Sequence, residues 1–362
     1  MKFDPSKPFD DLPLLPPKVD VETKPVLKQA IAANRALVAL KGLGGTIPNQ
    51  ALLANSLILQ EAKASSEIEN VITTNDALFR AFTAKTSRVD PATKEVLRYR
   101  EALWEGYNAL KERPILSTNL FVTIVRTIRE NQAGIRNTPG TTIANSATGE
   151  IIYTPPEGET IIRDKLKNLE DFIHAGDEMD PLIKLALIHY QFEAIHPFSD
   201  GNGRTGRIIN ILFLILRGLL DLPVLYLSKA IIERKNDYYR LLRQVMQKNQ
   251  WEPWILYMLA SIEETAIFTR ERILAIRNLM LETMEKARRE LPRRVYSKEL
   301  IELLFQQPYC KISFLVDAGI ASRNIASSYL GELVKINILK KETIGRETLY
   351  LNHKLYELLS TK

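Results

Sequence analysis

A histidine, a carboxylate, three glycines and two arginines fall within the twelve residues from His196 to Arg207, in the block Ile195-His-Pro-Phe-Ser-Asp-Gly-Asn-Gly-Arg-Thr-Gly-Arg207. Gly201 and Gly203 permit backbone turns that side chains would forbid and let N–H groups approach a ligand closely. A helix that starts here adds the positive end of its dipole, and together these make an anion nest. Arg204 and Arg207 supply planar cationic forks for phosphate oxygens. Asp200 is a hard oxygen donor suited to Mg²⁺ bound to those phosphates. His196 stands at the loop entrance, within reach of a nucleophile aimed at the bound phosphate. Gly-Asn-Gly alone makes ordinary turns, and a lone His before Pro is more often structural. The convergence of all these groups is what points to phosphoryl or nucleotidyl transfer. No Gly-x-x-x-x-Gly-Lys-Ser/Thr loop occurs in the chain, and the glycines at 42–45 read as a helix stop.

The block sits between LIKLALIHYQFEAI and RIINILFLILRGLL, two apolar helical segments, so it is a loop leading into a helix N-terminus. Residues 1–23 hold five prolines without helical periodicity and read as an extended surface arm. Apolar residues recur at helical spacing from Lys24 to Leu40; Pro48 then opens a helix through LLANSLILQEAKASSEIEN. Residues 73–132 predict three more amphipathic helices. The stretch from Gly134 to Gly158, with turn formers at Asn145 to Gly149 and a Pro-Pro stop, predicts a β-hairpin. Helices resume near Thr160 and continue to about Arg289. After Leu291-Pro292, helical segments followed by two strands around Gly345 give a winged helix-turn-helix pattern. The expected fold is mostly α, divided at 1–110, 111–290 and 291–362.

A hydrophobic fraction of 45% and a charged fraction of 25% over 362 residues describe an ordinary globular chain of more than one unit. One cysteine, Cys310, excludes an intrachain disulfide and a Cys-based zinc site, and four histidines without ligand spacing argue against a His-rich one. A net charge of +6 suits a polyphosphate or a nucleic-acid surface and establishes neither. The N-terminus lacks an apolar h-region, and the apolar run Ile208 to Leu222 is too short for a bilayer and reads as a buried helix. The expected location is the cytoplasm, with no membrane partner.

The block resembles the Fic family motif His-x-Phe-x-Asp/Glu-Gly-Asn-Gly-Arg-x-x-Arg at every defined position. The resemblance extends over most of residues 20–290. It implies a helical core with a β-hairpin flap and transfer of AMP from ATP to a Ser, Thr or Tyr hydroxyl of a protein, releasing pyrophosphate. By the same resemblance His196 is the general base and Asp200 the Mg²⁺ ligand. Gly201, Asn202 and Gly203 form the phosphate cradle, continued by Thr205 and Gly206. Arg204 and Arg207 hold the β- and γ-phosphates, and Phe198 anchors the loop. Gly203 stands where the kinase branch of the family carries Lys, which favours AMP transfer over phosphate transfer.

The stretch Ser65-Ser-Glu-Ile-Glu69-Asn70 resembles the family's inhibitory helix, here about 55–70, N-terminal to the core. Glu69 would pair with Arg207 in place of the γ-phosphate, and in some relatives the same Glu supports removal of AMP. The hairpin at 149–156 resembles the flap that clamps a target by strand pairing, with Ile152 and Tyr153 bordering the nucleotide. Tyr238 and Tyr239 resemble an aromatic pair that contacts adenosine in relatives, and as helix aromatics they fit a core equally well. A homodimer is compatible with the resemblance. The main competing reading is a DNA-binding regulator acting through Arg323, Asn324, Lys340, Lys341 and Arg346. The basic density there is low, which favours protein docking for that module.

Overall fold

The computed structural model describes residues 3–43, 50–83, 89–132, 134–144, 148–344 and 347–361. After an irregular arm, the first helices are α1 (Lys24–Gly42), α2 (Gln50–Ile68), α3 (Asn75–Thr83), α4 (Pro91–Glu112) and α5 (Thr118–Arg129). A short antiparallel hairpin follows, β1 (Ile143–Ala144) and β2 (Ile151–Tyr153). Then come α6 (Glu159–His174), α7 (Pro181–Ile195), α8 (Asn202–Leu216), α9 (Leu227–Glu233), α10 (Lys235–Lys248) and α11 (Trp251–Glu290). The remainder is α12 (Lys298–Leu303), β3 (Tyr309–Cys310), α13 (Ile312–Asp317), α14 (Arg323–Lys335), β4 (Lys340–Ile344), β5 (Glu347–Leu351) and α15 (His353–Ser360).

Burial follows directly from side-chain spacing. On α1 the buried residues Val26, Ala30, Ala33, Leu37 and Leu40 recur every three or four positions, one stripe that lies along α11. Helix α7 is buried on every side, from Leu182 to Ile195, so it runs through the centre of the core with α8 against it. Proline opens α7 where a missing N–H does no harm, and Asp180 caps it by accepting from the amides of Leu182 and Ile183. At its other end α7 stops because His196 turns into the left-handed region, φ 48°. The chain then has six residues before α8, which Gly201 starts with φ 85°. The His196–Arg207 block is therefore the loop between two deeply buried helices together with the first turns of α8.

Three differences from the sequence reading stand out. The apolar run expected as one helix to Leu222 breaks at Leu216, because Gly218 takes a positive φ of 67°. Helix α2 ends at Ile68, with Asn70 left-handed (φ 61°) just beyond. The C-terminal unit has a third strand: β3 pairs with β5, which pairs with β4, all antiparallel, and α15 follows. Pro48, Asn145, Gly345 and Arg346 lie outside the described residues. The C-terminal unit meets the core at α3, where Arg80 pairs with Glu342 and Tyr309 donates to Asp76. No helix among the described residues is long and apolar enough to cross a membrane.

Candidate active site

Three supports fix the loop between α7 and α8. Asn202 closes it as a ring, its Oδ1 accepting from the Phe198 amide (2.9 Å) and its Nδ2 donating to the Phe198 carbonyl (2.7 Å). Phe198 itself is buried against Phe192. Arg136, buried and remote in sequence, donates from Nε to the His196 carbonyl (2.8 Å), and its own amide bonds to the Pro197 carbonyl. These contacts hold His196 in its left-handed turn.

At the start of α8 no side chain caps the helix. The amides of Asn202, Gly203 and Arg204 have no acceptor within it by helix geometry, so they present an anion site. A carboxylate already lies there. Glu69, in the turn after α2, accepts from Arg207 Nη2 at 2.8 Å. A Cβ placed on Gly203 would come within 2.2 Å of Glu69 Oε1. Arg207 is 1% exposed and also donates to the Ser65 hydroxyl (2.7 Å) and the Ser65 carbonyl (2.8 Å). A carboxylate at a helix C-terminus opposes the helix dipole; here the Arg207 charge compensates. Burial works to raise the Glu69 pKa, and Arg207 outweighs it, so the net shift is downward although 34% of the side chain is open. Burial works to lower the Arg207 pKa, and the Glu69 charge with its other anionic neighbours outweighs it, so the net shift is upward.

Helix α2 is tied down along its length. The buried carboxylate of Glu61 accepts from the Ser228 amide (2.9 Å) and hydroxyl at the start of α9, and from Tyr99 of α4. Burial raises its pKa despite those bonds. Lys235 donates to the Ile68 carbonyl, closing the helix end (2.6 Å).

Burial, assisted by the Arg136 charge, lowers the His196 pKa to about 4, so the imidazole is neutral at pH 7; the Glu69 charge, the Glu193 carbonyl and the Asp200 charge act in the opposite direction. Its Nδ1 is buried without a hydrogen-bond partner of normal geometry. Glu193, one turn earlier, is pushed up to about 7 by burial, with Arg207 pulling down and Glu69 pushing up. Its Oε1 lies 2.7 Å from where a Gly206 Cβ would be.

The remaining site residues separate into two groups. Asp200 is half-exposed at the loop edge, bonded to its neighbouring amide and to Arg129 at 2.8 Å. One carboxylate combined with phosphate oxygens and water is how proteins hold Mg²⁺ at nucleotide sites, so Asp200 fits that ion. No cluster of three acidic, His or Cys side chains among the described residues would hold a metal alone. Arg204 is directed to Glu95 of α4, and Thr205 is buried beneath the loop. Ile152 is partly exposed on the flap. Tyr153 points inward, its hydroxyl donating to the Ala194 carbonyl (2.7 Å) and its ring against Phe9. Tyr238 is buried with its hydroxyl on His189 Nε2 (2.8 Å), while Tyr239 is 40% exposed, so only Tyr239 of that pair offers accessible ring surface. Glu95, Arg129, Arg136, Glu193 and Glu61 went unnoticed in the sequence. Glu95 and Arg129 lie on amphipathic helices and Arg136 in a loop, where a solvated role is the ordinary one, whereas Glu61 and Glu193 are lone carboxylates inside apolar helix stretches that name no partner.

Fold and site together define a helical anion-binding site read by one continuous motif, with a hairpin beside it. Family comparisons agree with that class. The Fic/DOC family N-terminal model matches residues 27–108, the Fic/DOC family model matches 115–214, and the model for the C-terminal domain of SoFic-like protein adenylyltransferase matches 279–355. The chain belongs to the Fic/DOC family. It is 30% identical over 108 residues to protein adenylyltransferase fic-1 of Caenorhabditis elegans, covering 29% of this chain and 20% of that protein. It is 33% identical over 69 residues to the probable protein adenylyltransferase aq_aa38 of Aquifex aeolicus, covering 19% and 21%. These matches span about a fifth of the curated relatives' length. A Fic family protein from Desulfovibrio desulfuricans G20 shares the fold over 92% of this chain and 98% of its own, with a TM-score of 0.59 and 18% identity. Fic-1 of C. elegans does so over 69% and 74%, with a TM-score of 0.53 and 20% identity.

Proposed function

We propose that this protein transfers AMP from ATP to a hydroxyl side chain of a protein, under restraint from Glu69. The observation that carries the reading is the Glu69 carboxylate seated over Gly203 on Arg207, which marks the anion position built by the motif. The relatives' names as adenylyltransferases support the same chemistry.

In this reading ATP lays its phosphates along the start of α8, over the amides of Asn202 to Arg204, with Arg207 and Arg204 as cationic partners. Mg²⁺, held on Asp200, would neutralise phosphate charge. His196, neutral and fixed by Arg136, takes the proton of the target hydroxyl. The target oxygen bonds to the α-phosphorus, the bond to the bridging oxygen breaks, and pyrophosphate leaves. The flap at 149–156 positions the target segment by its strand edge. With Glu69 on Arg207, the γ-phosphate has no place and ATP sits unproductively; removal of AMP by the same Glu belongs to this reading too. A homodimer and a cytoplasmic setting remain part of the proposal, and the C-terminal unit is read as a docking element.

The test uses ATP labelled at the α- or the γ-phosphate, Mg²⁺, and three proteins: the parent, Glu69→Gly, and Glu69→Gly with His196→Ala. Label on protein from α-labelled ATP only is expected, at least about tenfold higher in Glu69→Gly and absent without His196. Label from γ-labelled ATP alone makes the protein a kinase and sinks the proposal.

A further inference from the structure

Four charged side chains, from three helices and the loop itself, close a ring at the edge of the anion loop. Arg204 bonds Glu95 of α4 directly, and Glu95 Oε1 lies 3.2 Å from Arg129 Nη1. Arg129 Nη1 lies 2.8 Å from Asp200 Oδ2, and Asp200 Oδ1 lies 3.4 Å from Arg204 Nη2. Charges alternate around the ring, and they sum to zero. One side is buried: Arg204 is 2% exposed. The other side is open: Asp200 is 54% and Arg129 32% exposed. Arg129 is the last residue of α5, and its stem lies 3.7 Å from where a Gly201 Cβ would be, so its packing aims it at this loop.

Asp200 thus already carries a cation, the Arg129 guanidinium, on the carboxylate that would hold a divalent ion. We propose that Arg129 is a positioning residue that holds Asp200 in place of the divalent cation and yields it when metal and nucleotide enter. This rests on reading Asp200 as the cation ligand. The buried half of the ring explains how the exchange stays local. Glu95 touches both arginines, so Arg129 keeps a partner after releasing Asp200, and Arg204 stays fixed throughout. A half-exposed ion pair shifts an equilibrium only severalfold, weak enough for a divalent ion to displace.

The alternative, that Arg129 presents Asp200 to the metal, predicts the opposite sign. Mn²⁺ serves as the probe, its free form read by electron paramagnetic resonance, titrated into the full chain saturated with α,β-methylene ATP. All proteins carry Glu69→Gly. Arg129→Gln is expected to tighten Mn²⁺ binding roughly two- to five-fold, Arg129→Lys less. Arg98→Gln, which removes a neighbouring charge paired with Glu130, is expected to leave it unchanged. Asp200→Asn is expected to weaken binding and to erase the effect of Arg129→Gln. Unchanged or weaker binding in Arg129→Gln overturns the inference, as does tightening that persists in Asp200→Asn. If Arg129→Gln does not fold, Arg129→Lys decides by the same sign. Mn²⁺ binding is read without turnover, so failed AMP transfer from ATP sinks the proposed activity and leaves this result standing.

Discussion

His196 and Glu193, three residues apart, are driven in opposite directions by the same burial. A base must be unprotonated to accept a proton, and His196 meets that condition well below the usual imidazole value. In Glu69→Gly, AMP transfer should therefore persist down to about pH 5, below the ordinary histidine midpoint. A pH–rate profile measured with α-labelled ATP checks this; an acid limb centred near 6.5 would contradict the burial argument. Glu193 carries a pKa raised to about 7, so the folded state holds its proton more tightly than the unfolded chain. The stability this gives is complete below the ordinary glutamate value and is lost as pH rises toward 7. Glu193→Gln should then be more stable than the parent at pH 8, by about 3 kcal/mol at most, and no better at pH 4. Urea unfolding at the two pH values measures the difference.

Helices are the scale at which the sequence was most readable and the site least so. The buried stripe of α1 and the all-round burial of α7 and α8 are written in periodicity. The motif names its own loop because every chemical group in it is local. What periodicity cannot show is which distant helix supplies a partner. Arg136 reaches the His196 carbonyl across sixty residues of chain, and Glu95 reaches Arg204 across 109. Tyr153 and Tyr238, read as nucleotide neighbours, turn their hydroxyls into the core, since a buried phenol needs an acceptor. The position of His196 also depends on where α7 begins. Asp180→Ala removes the cap that satisfies two amides and a bond from Asn34. It should lower stability by about 1–2 kcal/mol, read as a shift in the denaturant midpoint with the slope unchanged.

Across the whole molecule, the N-terminal arm does more than lie on the surface. The Phe9 amide donates to the Thr154 carbonyl (3.0 Å), the Thr154 hydroxyl to the Pro5 carbonyl (2.7 Å), and the Glu157 amide to Asp10 (2.8 Å). The Phe9 ring meets Tyr153 edge-on. Further back, Asn168 and Gln191 bond the arm at Leu15 and Pro13. The arm therefore straps the base of the flap. Phe9→Ala should speed amide hydrogen exchange across residues 151–157 while leaving α7 and α8 protected; equal protection in both proteins would show that the flap holds itself.

One helix joins the two ends of the molecule. Near the start of α11 Trp254 stacks on His189 and Tyr257 meets Tyr238 at a tilt, and Ala287 near its end is buried where the C-terminal helices begin. Forty residues at 1.5 Å each make a rod of about 60 Å, unbroken where the C-terminal family match begins at residue 279. Mechanically there is no joint at that border. A proline at Arg277 would create one, since it removes a hydrogen bond and kinks the axis at about 3 kcal/mol or more. Torque applied to the C-terminal sheet then travels along this stiff shaft as well as through α3, and the far end of the shaft lies against α7, the helix that leads into the loop at His196.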